Sequence, residues 1–254
     1  VSVAQGTRPI QGWQDQPNWF YRPYWLPHFI TSNPEQPILT GTAEHVFDVL
    51  LGSRKLHRDY VMQQLTQSKL LQHSVVTYRN CFHGGDVNGA TDFEWPYVSP
   101  NLKPEWEVAD AINHQVSFQT PWQIYQHTQY SIVCESIGDG HDFFFTEKTM
   151  KVLWAQRVFV MFGVQYFLQN LHDLGFHTFG NVIDESYDTM ADPVKRWAAA
   201  WAAAVELSKL DYATVLAMTQ PAREHNHRRM IELEHEMQTR AQQQLNIISN
   251  QIVQ

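Results

Sequence analysis

The sequence holds almost no cysteine: Cys81 and Cys134 are the only two in 254 residues. That excludes a disulfide framework and points to a reducing compartment. Long apolar stretches are also missing. The longest, Val152 to Val164, is interrupted by Gln156 and Arg157 and falls short of the roughly 20 residues a membrane span needs. No stretch reads as a secretion signal, so a cytoplasmic location is expected. The chain opens at Val1 rather than methionine, as a piece of a longer protein would. A positive balance is absent too. The formal net charge of −8 argues against holding nucleic acid by the overall field, although clusters such as Arg54–Lys55–Leu56–His57–Arg58 remain.

What is present describes an ordinary globular α/β chain, with 43% hydrophobic and 17% charged residues and length for one large domain or two small ones. Residues 1–40 read as an irregular arm. Trp13, Trp19, Phe20, Tyr21, Tyr24, Trp25 and Phe29 alternate there with Pro17, Pro23, Pro27 and Pro34, and the prolines forbid a long helix. Packing of these rings onto the domain and an acceptor-binding platform are both open. Residues 41–221 read as the domain proper. His45–Gly52 is a central strand, Leu56 to Leu71 has helical spacing, and Ser74–Tyr78 is a β-branched strand, which together make a βαβ unit. From 80 to 127 periodicity is weak, with one short helix expected around Glu105–Asn113. A second unit follows: strand Tyr130–Cys134, helix Thr146–Gln156, strand Arg157–Phe162. Then come a helix from Tyr166 stopping at Gly175, a strand-like Phe176–Phe179, an acidic loop Asp184–Asp188, a helix opened by Asp192–Pro193, and a short helix from Asp211 to Pro221. Residues 222–254 form a long helix. Its stripe of Met230, Leu233, Met237, Ala241, Leu245, Ile248 and Ile252 fits packing on the domain, or a dimer seam.

The chemistry concentrates at the strand-to-helix turns, where open α/β sheets hold ligands. Glu135, Ser136, Thr146, Glu147 and Lys148 lie on one such edge, and Arg54, His57 and Arg58 on the neighbouring one. The cations suit phosphates and the carboxylates suit ribose or sugar hydroxyls. The same residues also fit a purely structural role, with Thr146 as helix cap and Glu147 favouring the helix dipole.

Three blocks resemble a known family. Ile132–Ser136, a Gly/Asp loop, Phe144–Lys148 and Val158–Gly163 are similar to the donor-binding half of α1,3-fucosyltransferases, whose pattern runs F-E-N, a short loop, Y-x-T-E-K, a helix, then V-P-V-x-x-G. Gly175–Phe179, Asp184–Asp188 and the Leu51–Arg58 turn resemble related phage and viral glycosyltransferase-like proteins. The resemblance implies a GT-B donor domain, a Rossmann-like parallel sheet flanked by helices. It implies metal-independent transfer of a sugar from a nucleotide-diphosphate donor to a hydroxyl acceptor, with the sugar nucleotide as co-substrate and no cofactor. Donor contacts would fall to Arg54, Arg58, Glu135, Ser136, Phe144, Thr146, Glu147 and Lys148. Two of these depart from the pattern, Ser136 for asparagine and Phe144 for tyrosine, which speaks against assuming GDP-fucose.

A GT-B enzyme has a second, acceptor-binding domain, and residues 1–127 are too short to supply it beside the first βαβ unit. The acceptor side is therefore reduced, absent or contributed by another chain. Asp86, Asp92, Glu94 and His83 are the candidates for a catalytic base. Asp139–Gly140–His141–Asp142 imitates a D-x-D metal motif but occupies a spacer, and His225, His227 and His235 read as solvated side chains of a charged helix; no metal is expected. Two alternatives stay open: a non-catalytic nucleotide- or glycan-binding domain, and a hydrolytic enzyme using His57 and the Gly/Asp loop.

Overall fold

The computed structural model describes residues 26–33, 42–78, 97–106, 119–140 and 143–252. Both expected βαβ units form. The first joins β1 (His45–Leu51) through α2 (Leu56–Thr66) to β2 (Val75–Tyr78), paired parallel with Asp48 beside Val75 and Leu51 beside Tyr78. The second joins β4 (Thr128–Cys134) through α4 (Glu147–Trp154) to β5 (Phe159–Phe162), with Ser131 beside Phe159 and Cys134 beside Phe162. Parallel pairing of β1 with β4 unites them, and a two-residue β3 (Tyr97–Val98) adds antiparallel to β2, giving the order β3-β2-β1-β4-β5. From the central β1/β4 pair the chain winds outward in opposite directions. Right-handed crossovers then put α2 and α4 on opposite faces. Accordingly α2 packs with α6 (Pro193–Leu207), and α4 packs with α1 (Leu26–Ser32) and α7 (Tyr212–Ile252). This is the winding of a Rossmann-like sheet, and its β1/β4 strand ends form a topological switch point.

The central strands are buried on both faces and accordingly read as near-continuous apolar runs. One exception explains two residues that look misplaced. Asp48, inside β1, and Arg157, which breaks the longest apolar run, meet as a buried pair at 2.8 Å. The guanidinium also donates to the carbonyls of Thr128 at 2.6 Å and Tyr125 at 2.8 Å and to the Ser131 hydroxyl at 3.1 Å, and lies 4.8 Å from the centre of the Tyr125 ring. The Ser131 hydroxyl donates to the Asp48 carboxylate at 2.7 Å. Three segments far apart in sequence are thereby locked together: β1, the start of β4 and the approach to β5.

Several expected elements differ. Helix α2 stops at Thr66 and a separate 3-10 turn covers Lys69–His73, because the Ser68 hydroxyl accepts the Leu70 amide and starts a new turn. The arm contains one short helix, α1, whose Leu26 and Phe29 are fully buried; Pro27 sits in its first turn, where a missing N–H costs nothing. The rest of the arm lies outside the described residues. Of the expected helix at 105–113, a 3-10 turn at Pro104–Trp106 is seen and the remainder lies outside them, while α3 (Trp122–His127) forms within the stretch expected to be irregular. Phe176–Phe179 is no strand. The amide of Phe179 goes to the Glu185 carboxylate at 2.8 Å, and Asn226 of α7 takes both backbone groups of His177, at 2.7 and 2.8 Å.

The two helices expected on either side of Pro221 are one helix of 41 residues. Proline removes a donor from the preceding turn. Side chains supply others there: Asn181 donates to the Met218 carbonyl at 3.0 Å and Arg223 to the Leu216 carbonyl at 2.9 Å. The apolar stripe of α7 is buried as far as Met237, whereas Leu245 is 57% exposed, so the helix packs on the domain over its first part and projects beyond it. Caps expected at Asp192 and Asp211 form, accepting the amides of Lys195 at 3.0 Å and Thr214 at 2.8 Å. Gly175 ends α5 (Phe167–Asp173) with φ of +86°, a conformation glycine adopts without penalty.

Removing one partner of the Arg157–Asp48 pair leaves the other charge buried and alone. Arg157→Ala is expected to lower the unfolding free energy by about 3–5 kcal/mol. Denaturant titration checks this; a loss below about 1 kcal/mol, the range of a surface pair, overturns the assignment.

Candidate functional site

The switch point is assembled by two turns. After β1, Gly52–Lys55 leads into α2, whose first turn carries His57 and Arg58. After β4, Glu135 and Ser136 open the loop that ends at Thr146, the N-cap of α4.

Glu135 is fully buried and its carboxylate is saturated. It accepts the Thr146 hydroxyl at 2.6 Å, the Thr149 hydroxyl at 2.6 Å, the Ser136 amide at 2.9 Å and the Thr146 amide at 3.1 Å. Its work in this structure is to fasten the start of α4 to the end of β4. The Thr146 hydroxyl also accepts the Lys148 amide at 3.4 Å, so the capping role open from sequence is realised.

Arg58 ties the other turn to the same point. Only 3% exposed, it donates to the carbonyls of Ser53 at 2.6 Å, Glu135 at 3.1 Å and Cys134 at 3.3 Å. Its Nε has no partner, and no carboxylate among the described residues forms an ion pair with it. His57, also buried, donates from Nε2 to the Glu135 carbonyl at 2.7 Å. Burial holds its pKa down at about 3, helped by the charges of Arg58, Lys55 and Lys148, against the pull of that hydrogen bond. The imidazole is therefore neutral, and the cations whose charge helps keep it so come from both turns.

Lys148 and Glu147 are half-buried and pair at 2.6 Å, and the ammonium also reaches the Ser136 hydroxyl at 3.2 Å. Burial raises the Glu147 carboxyl, but the charge and hydrogen bond of Lys148 and the charge of Lys151 outweigh it, and the net pKa is lowered. Arg54 donates to Asp59 at 2.9 Å, whose other oxygen accepts the Tyr78 hydroxyl at 2.7 Å. Among the three consecutive phenylalanines, Phe143 and Phe145 are buried against Phe167 and Phe176, and Phe144 is half-buried.

The loop between strand and helix is shaped by contacts made nowhere near it in sequence. A Cβ added at Gly138 would lie 2.3 Å from the His57 ring, so only glycine allows this approach. The Gly138 carbonyl accepts from Arg196 and from the Trp197 indole, both at 3.1 Å. Arg196 also donates to the Gly163 carbonyl at 3.1 Å, which anchors α6 to the turns that follow β4 and β5. Neither Arg196 nor Trp197 stood out in the sequence; a charged and an aromatic residue side by side in an alanine-rich helix is the one signal they leave.

The structure thus brings Arg58, Glu135, Ser136, Thr146, Glu147 and Lys148 together, with Arg54 bonded to Asp59. Asp86, Asp92, Glu94 and His83 lie outside the described residues, as do His141 and Asp142. The Gly175–Phe179 and Asp184–Asp188 blocks fold into a clip of their own. Glu185 accepts the Thr178 hydroxyl at 2.6 Å, and Asp188 accepts the Leu168 and Gln169 amides at 2.8 and 3.1 Å. His225 and His227 are not free solvated side chains: they bond the carbonyls of Gly175 at 2.8 Å and Trp154 at 3.0 Å. Among the described residues no three His, Cys, Asp or Glu side chains converge as metal ligands. No helix there is long and apolar enough to cross a membrane. A groove of about 540 Å³ lies between Gly180–Asp184 and the Leu210, Asp211, Thr214, Val215 and Met218 side, and none of its lining residues belongs to the switch-point turns.

Comparison with protein-family models, curated proteins and solved structures finds no match.

His57 gives the site a pH signature. The unfolded chain takes up a proton on this residue near 6.5, the folded chain only near 3. Acid therefore favours the unfolded state, and the contribution of His57 is lost progressively as pH falls from 6.5 towards 3, by up to ~1.4 kcal/mol per pH unit. Unfolding titrations across that window should show this slope, and His57→Gln, which keeps a donor but no titrating group, should flatten it. An equal slope in both proteins would refute the assignment.

Proposed function

We propose that the β1/β4 switch point binds the diphosphate of a sugar nucleotide, and that the chain is a metal-independent glycosyltransferase moving the sugar to a hydroxyl acceptor. The observation that carries the reading is that cations from both βα turns meet at the end of β4, Arg58 bonded to the Cys134 and Glu135 carbonyls and Lys148 to the Ser136 hydroxyl. Arg58, which pairs with no carboxylate among the described residues, contributes positive field from inside, and Lys148, held by Ser136, presents a charge at the half-exposed edge. A parallel sheet receives a ligand at this position, and a cluster of cations there suits phosphate oxygens. The motif resemblance supplies the sugar and the transfer.

In such a reaction the acceptor oxygen forms a bond to the anomeric carbon while the bond from that carbon to the diphosphate breaks. The acceptor proton passes to a base, and the nucleoside diphosphate leaves with the bonding electrons. Fixed cations at the leaving group stabilise the charge that develops on it. Lys148 and the field of Arg58 take that role here, with the acceptor side brought by another part of the protein or by another chain.

A second reading is favoured by one observation. The Glu135 carboxylate is used up by four internal donors, and Glu147 is held by Lys148. A domain whose motif carboxylates serve only its own scaffold fits a non-catalytic nucleotide- or glycan-binding module derived from a donor half.

Isothermal titration with UDP, GDP and their sugars tests the binding step. Lys148→Ala is expected to weaken the bound nucleotide by about tenfold or more, the worth of a charge-assisted hydrogen bond. No heat with any of them, in a protein of native circular dichroism, rejects the site. Sugar transfer or donor hydrolysis by the native chain separates the enzyme from the binding module.

A further inference from the structure

Lys151 stands outside every motif in the sequence. On α4 it follows Glu147 by four residues and Lys148 by three, which places all three on one side of the helix. Lys148 closes on the Glu147 carboxylate at 2.6 Å. The Lys151 ammonium, half-buried, makes no ion pair or hydrogen bond among the described residues. Burying an ammonium without a bonded counter-charge is unfavourable, and an incoming anion would relieve it.

We infer that Lys151 is the second arm of a two-lysine phosphate clamp, in which Lys148 is steadied by Glu147 and Ser136 while Lys151 is left for the ligand. The inference rests on the reading of this site as one that holds a diphosphate, and it assigns the residue that makes the grip conditional. Burial, reinforced by the neighbouring Lys148 charge and opposed by Glu147, lowers the Lys151 ammonium from 10.5 to about 8. The other groups around α4 act elsewhere. From α7, Arg223 and His227 bond the carbonyls of Gln156 and Trp154 at its far end. From β4, Glu135 is saturated. The sequence of α1 has no charged residue and one titratable residue, His28. The charges that act on Lys151 are those of Glu147 and Lys148. One arm of the clamp thus discharges just above neutral pH, a range in which the diphosphate of UDP or GDP is already fully ionised.

The test is titration of the whole chain with UDP and GDP at about pH 7 and about pH 9, on either side of the Lys151 transition. Native protein should bind about tenfold more weakly at the higher pH, the worth of one charge-assisted contact. Lys151→Arg, whose charge persists across the range, should bind at the higher pH as the native protein does at the lower. Lys151→Met should match the weaker native value at both. Binding with no pH dependence, or with one that Lys151→Arg leaves intact, overturns this inference while the phosphate site stands. Absence of binding at either pH removes both.

Discussion

A parallel sheet that winds outward in two directions from its centre leaves a gap between the ends of its two middle strands, and everything at this site depends on how that gap is spanned. Here the joint is Glu135. Its carboxylate fastens the start of α4, and its carbonyl receives His57 and Arg58 from the start of α2. One residue thus holds two helices of opposite faces to one strand end. Lys148, Ser136 and the Gly138 loop take their positions from that joint. Its four acceptor bonds occupy a carboxylate that pairs with no cation among the described residues.

Two buried arginines beside the sheet, Arg157 ahead of β5 and Arg58 on α2, show the same economy used to opposite ends. Arg157 is matched by Asp48 and covered by Tyr125, so its charge is spent inside the fold. Arg58 is held by carbonyls through its two terminal nitrogens, which orient it without neutralising it, while its Nε has no partner. The first closes the lower part of the sheet, where β4 begins. The second leaves a net field at the upper end, where ligands arrive in folds of this kind.

Much of this was legible because it is local. The β-branched and aromatic runs of β1, β2, β4 and β5, each bounded by a loop and followed at helical spacing by apolar residues, announced two βαβ units, and Thr146 announced its own cap. What was illegible depends on partners distant in sequence. Nothing near Asp48 says that Arg157 will meet it. Nothing near Pro221 says that Asn181 will reach the carbonyl of Met218 and let the helix run on. Phe176–Phe179 has the composition of a strand, but its amides are claimed by Glu185 and Asn226. The site residues were found as a group, whereas their division into scaffold and exposed edge required coordinates. Glu135 and Lys148 look equally ready for a ligand in the sequence, and in the structure only the second presents its charge at the edge.

That failed strand has a consequence at the rim of the sheet. Among the described residues β5 is the last strand on its side, and Phe176–Phe179 is the stretch whose composition suited it to extend the row. Instead the ring of Phe179 packs edge-on against Phe159, 5.4 Å between centres, and the amide of Met161 is met by the hydroxyl of Tyr187 at 3.3 Å. A phenol occupies a place where another backbone would dock. Among the described residues the opposite rim is the two-residue β3. Short or plugged borders of this kind discourage strands of neighbouring molecules from adding on, so the clip at Asp184–Asp188 guards the protein against polymerising through its own sheet.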